Sequence, residues 1–82
     1  MKPRTEDRQR KASLICSMVG DHVRDKREAL GMTQADCSKL LAGSCESYWR
    51  SMEGGHKHMS LLRLVEVSEV LGCDASELLE GI

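Results

Sequence analysis

Apolar residues recur along this chain at spacings of three and four. Leu14, Ile15, Met18, Val19, Val23 and Leu30 predict one amphipathic helix over residues 13–30, interrupted by Gly20 and Lys26, with Gly31 as its stop. Thr33 is a good N-cap for a second helix over 34–41, with Cys37 and Leu41 one turn apart on its inner side. After Ala42-Gly43, the stretch SCESYWRSMEGG predicts a third helix with Ser44 as its cap and Gly54-Gly55 as its end. Its inner face would be Cys45, Trp49 and Met52, and its outer face Glu46, Ser47, Arg50 and Ser51. Ser60 then caps a fourth helix with Leu61, Leu64, Val65, Ser68 and Leu71 as its inner stripe, closed by Gly72. Asp74 and Glu77, spaced as a capping box, start a short last helix carrying Leu78 and Leu79. The pattern is all-α with five helices, and its expected core is Val23, Leu41, Trp49, Met52, Leu61, Leu64 and Leu71.

A chain of 82 residues has room for one small domain. Tyr48 and Trp49 are the only aromatic residues, a composition that suits helix packing better than a sandwich of sheets. No uncharged run approaches the roughly 20 apolar residues of a membrane helix. The first dozen residues lack the apolar core of a signal peptide, so a cytoplasmic protein without membrane contact is expected. Cys16, Cys37, Cys45 and Cys73 show no CxxC spacing, and reduced thiols are the expectation. Cys45 with His56 and His58 is the one conceivable zinc set, and it lacks a clear fourth ligand, so no metal is assigned.

The net charge of −1 hides an uneven distribution. Residues 1–12 set Lys2, Arg4, Arg8, Arg10 and Lys11 against Glu6 and Asp7, which reads as a charged, flexible arm before a domain at 13–82. Residues 59–82 set Arg63 alone against Glu66, Glu69, Asp74, Glu77 and Glu80. The acid therefore collects at the C-terminal end, and the middle of the chain is balanced.

Two short helices joined by a glycine-containing turn, with a bulky apolar anchor inside the second, are the physical content of a helix-turn-helix. The string GMTQADCSKLLAGSCESYWRSMEGG followed by SLLRLVEVSEVLGCDASELLEG resembles the Cro/C1-type (XRE-family, lambda-repressor-like) helix-turn-helix domain over about residues 19 to 80. Gly31-Met32-Thr33-Gln34, the series Trp49, Met52, Glu53 and Gly55, the run 61–72, and Ser76-Glu77-Leu78-Leu79 carry the resemblance. The chain departs from the family pattern at Ala42, which lengthens the turn by one residue, at Lys26, where the family is usually apolar, and at Ser44, commonly Val.

The resemblance implies a DNA-binding regulator whose third helix enters the major groove. The positions matching the family's base readers are Cys45, Glu46, Ser47 and Ser51. A carboxylate at Glu46 would accept from the N4 amino group of cytosine; otherwise it is an ordinary acid at a helix start, where the dipole favours it. Phosphate contacts are implied at Thr33, Gln34, Tyr48, Arg50, Lys57 and His58, with His56 beside them, although each has a solvated surface role as its plain alternative. Leu78, Leu79 and Ile82 would pair two subunits into a homodimer on a palindromic operator, or else cap the chain's own core. Double-stranded DNA is thus the expected partner, with no cofactor or small-molecule ligand.

Two other classes stay in play. A protein-interaction module of the same fold would act through the acidic C-terminal half. An enzyme finds little support, because the Cys and His residues do not form a nucleophile with an oriented base and there is no glycine-rich phosphate loop. A redox switch at Cys45, near a helix N-terminus, is a smaller variant.

Overall fold

The computed structural model describes residues 4–82, and all its regular structure is helical: α1 (Thr5–Ala29), α2 (Gln34–Leu40), α3 (Glu46–Glu53), α4 (Leu61–Leu71) and α5 (Ala75–Leu78). Local chemistry explains most of the boundaries. Thr33 accepts from the Asp36 backbone N–H while the Asp36 carboxylate accepts from Thr33 N, a reciprocal cap that starts α2. Ser60 accepts from the Arg63 N–H at 3.1 Å to start α4, and Gly72, with φ of 66°, ends it in the left-handed conformation. Asp74 and Glu77 form the second capping box.

α1 begins eight residues earlier than the apolar periodicity indicates. Residues 5–12, expected as an arm, form the first two turns of the helix; Lys2 lies outside the described residues. Their composition explains this: Glu6 and Asp7 occupy the positive first turn, Lys26 and Arg27 the negative last turn, and residues 5–12 contain neither glycine nor proline. At 25 residues α1 is about 37 Å long, by a rise of about 1.5 Å per residue, and it sets the 45 Å long axis of the molecule.

Trp49 and Met52 of α3 are fully buried among Val19 and Val23 of α1, Cys37 and Leu41 of the α2 region, Leu64, Val67 and Leu71 of α4, and Leu78 of α5. Two assignments are corrected. Leu61 is 79% exposed and Val65 is also exposed, because the buried positions of α4 are Leu64, Val67, Ser68 and Leu71, a stripe that leaves both beside it. Cys45 is exposed, because α3 starts one residue later than expected: Cys45, not Ser44, is the N-cap, and its extended backbone, with φ of −134°, takes it off the helical stripe.

Gly20, an interruption by periodicity alone, lets two helices touch. A Cβ there would lie 2.7 Å from the Met52 carbonyl oxygen and closer still to that of Glu53, so only glycine lets α1 cross the end of α3 at this distance. Behind this crossing, His22 Nδ1 donates to the Leu78 carbonyl at 2.9 Å and Lys26 Nζ donates to Glu77 at 3.0 Å, tying α5 to α1. The departure at Lys26 is thereby used as a surface tie.

Candidate nucleic-acid interface

The geometry of the candidate face starts from what holds α3 behind it. Glu53, at the end of α3, is buried with only 4% of its surface exposed, and three side chains converge on it. Arg27 binds it with Nε at 2.6 Å and Nη2 at 3.1 Å, Gln34 Nε2 donates at 3.1 Å, and Trp49 Nε1 donates at 2.5 Å. Arg27 also donates to the Met32 carbonyl at 2.9 Å, so one cluster joins α1, the α1–α2 turn, α2 and α3. Burial by itself raises the Glu53 pKa, but the hydrogen bonds from Arg27, Gln34 and Trp49 outweigh it and hold the carboxyl below its usual range. Among the described residues, no buried side-chain nitrogen or oxygen lacks a partner.

With its inner side fixed in this way, α3 presents Cys45, Glu46, Ser47 and Arg50 to solvent, with Ser51 half-buried at the margin. Cys45, Ser47, Tyr48, Ser51 and Lys57 line one shallow concavity beside Gly43, so the structure brings five of the expected contact residues together. Cys45 Sγ and Ser47 Oγ lie 3.0 Å apart. The Ser47 hydroxyl and the Tyr48 backbone N–H hold the Cys45 thiol below its ordinary pKa, whereas burial pushes Cys37 and Cys73 up. Arg50 reaches back one turn to Glu46 at 3.5 Å, so the one acid and the one arginine of the outer face form an exposed pair. His56, Lys57 and His58 are all exposed in the loop that follows α3.

Thr33 and Gln34 stand differently. The Thr33 hydroxyl is committed to its cap and the Gln34 amide to Glu53, and Asp36 places a carboxylate at the same helix start. Both side chains are part of the fold's own hydrogen bonding, although both lie at the N-terminus of α2 where the resemblance puts a phosphate. Tyr48 is half-buried, and its ring carries the Arg63 guanidinium at 5.0 Å from the ring centroid. Arg63 also donates to the Ala42 carbonyl at 2.9 Å, so the residue that lengthens the turn is held by α4. Sequence reasoning counts Arg63 only as a charge. Its place under the turn has no local signal, because Ala42 lies 21 residues away.

The C-terminal residues divide. Leu78 is fully buried, which removes it from any subunit interface; Leu79 and Ile82 remain 39% and 49% exposed. Leu78 faces inward because α5 is a single short turn whose capping box fixes its orientation against α1. Among the described residues no group of three His, Cys, Asp or Glu side chains is placed to hold a metal ion, so Cys45, His56 and His58 do not converge as ligands. None of the described helices is long and apolar enough to cross a membrane. No family model, curated protein or solved structure matches the chain.

Proposed function

We propose that this chain is a sequence-specific DNA-binding regulator that reads bases through the outer face of α3. The observation that carries the reading is the exposed row Cys45, Glu46, Ser47 and Arg50 on a helix locked from behind by Trp49, Met52 and the Glu53 cluster. A reading helix must present polar side chains from a rigid scaffold, and this one follows a short turn after α2 as in a helix-turn-helix. The Cro/C1-type resemblance supports the same assignment. Serines 47 and 51 suit either a donor or an acceptor on a base edge, and Glu46 suits the cytosine amino group. Lys57, on the rim of the concavity, is the nearest cation for a phosphate, with Arg50 available once it leaves Glu46. Two copies on a palindrome would supply the affinity that one small face lacks.

Selection of bound duplexes from a random pool, followed by titration at several salt concentrations, tests this. The expected result is a preferred, two-fold-symmetric sequence whose affinity falls steeply with salt. Binding no tighter than to random DNA, without sequence enrichment, sinks the reading.

One observation favours a second reading, a protein-interaction module of the same fold. Thr33 and Gln34 are already engaged, and Asp36 places an acid at the same helix start. In that case a basic partner binds the acidic α4–α5 end, and Lys57→Ala leaves the interaction unchanged.

A further inference from the structure

The described part of α1 makes no use of its first two turns: residues 4–11 are all exposed. These turns bury nothing against the rest of the domain, so their surface is open to a partner. The stretch is also predominantly basic along one face, where Asp7 is the one acid among the cations. Arg4, Arg8 and Lys11 follow each other at i, i+4 and i+7, and Ile15 extends the same stripe by one more turn. None of the three cations forms an ion pair among the described residues.

Ile15 leads into a second unpartnered surface. It lines a mostly apolar groove with Leu61, Leu64 and Leu79 between α1 and the start of α4, with Lys57 as the one charged residue of the lining. Beyond it the solvent face of α4 carries Leu61, Leu62 and Val65, exposed by 79%, 71% and 43%. Adjacent large aliphatic side chains on the outside of so small a domain mark an interaction surface. The same face of α4 ends in Glu69, an exposed acid that has no ion pair among the described residues.

We infer that this band, basic on α1, apolar across the groove and acidic at Glu69, is a self-complementary interface for a second copy of the chain. A two-fold axis through the apolar centre reverses the band, which sets the basic stripe of each copy against the acidic end of the other and Leu61 and Leu62 against their counterparts. An isologous interface needs this kind of polarity on one surface. The unlike charges fix the register, and the leucines supply the buried area. The interface differs from a pairing of α5 helices, in which Leu78 is not available. It borders the DNA-reading face at Lys57, which lines both the groove and the concavity beside α3, and the two readings are tested separately because self-association is measured without DNA.

Sedimentation velocity over a concentration series tests it on the full chain. The wild type is expected to pass from monomer to dimer, with dimerisation weakened by salt. Leu61→Gln with Leu62→Gln should weaken it about tenfold or more while helicity and the melting transition are kept, since both side chains are already exposed. Arg8→Glu and Glu69→Arg should each weaken the dimer, and the two together should restore it. A wild-type monomer up to about 1 mM, where any useful interface is populated, overturns the proposal and gives the band to a different protein. So does a dimer indifferent to the leucine pair, or a charge swap that does not restore association.

Discussion

Arg27 and Glu53 meet inside the domain through two hydrogen bonds of 2.6 Å and 3.1 Å, although 26 residues separate them in the chain. The pair fixes the distance between α1 and the end of α3, and with Gln34 and Trp49 it leaves no donor or acceptor idle. Removing one partner strands the others without water. Glu53→Ala should therefore cost about 3–5 kcal/mol in unfolding free energy, far more than an exposed acid, as read by urea denaturation. A loss below about 1 kcal/mol would mean that water replaces the carboxylate.

The same carboxyl sets an acid limit. Its folded pKa lies below its unfolded one, so the stabilisation is present above the ordinary carboxylate range and is lost as pH falls through the lowered folded value. Exposed Asp36 and Glu77 are lowered in the same direction by their capping bonds. Comparison with Glu53→Gln isolates the buried group: the gap in melting temperature between the two proteins should narrow as the solution is taken from neutral pH into the acid range. A constant gap contradicts an ionised Glu53 as its source.

Gly20→Ala is expected to destabilise by about 1–3 kcal/mol, although alanine is the better helix former, because its methyl would press on the backbone carbonyls of Met52 and Glu53. Gly31→Ala makes a useful contrast. Nothing lies within 4 Å of a Cβ at that position, so its cost would come only from the left-handed backbone with φ of 70°. Thermal unfolding of both variants separates crowding from backbone strain.

On α3, Glu46→Ala should relax preference at one base pair of each half-site, by about 1–3 kcal/mol of discrimination, with a smaller change in affinity for random DNA. It also releases Arg50 from its exposed pair, which favours phosphate binding. Parallel selections with wild type and variant read the outcome. An equal change across all sequences assigns Glu46 to the solvated helix start.

Thiol chemistry offers an independent check on the same face. Cys45 is exposed and its pKa is lowered, whereas Cys37 is buried and raised. Iodoacetamide at neutral pH should label Cys45 well before Cys37, and bound DNA should slow that labelling if α3 enters the groove. Equal labelling of the two thiols would contradict the burial described for Cys37.

The sequence by itself determined the number of helices, most of their ends and the anchors Trp49, Met52, Leu41, Val23, Leu64 and Leu71, because caps and apolar periods act over one or two turns. The outer face of α3 was legible on the same grounds. Other features depend on which elements meet. Glu53 looks like one more acid until Arg27 and Gln34 arrive from other helices, Gly20 looks like a flaw until α3 crosses it, and Arg63 is a surface charge until the turn at Ala42 settles above it. Leu61 and Leu78 exchanged their expected places for the same reason: both lie on apolar stretches, and only the packing of α4 and α5 against α1 decided which would be covered. Local chemistry chooses the elements, while burial is a property of pairs of elements, and no single stretch of sequence contains a pair.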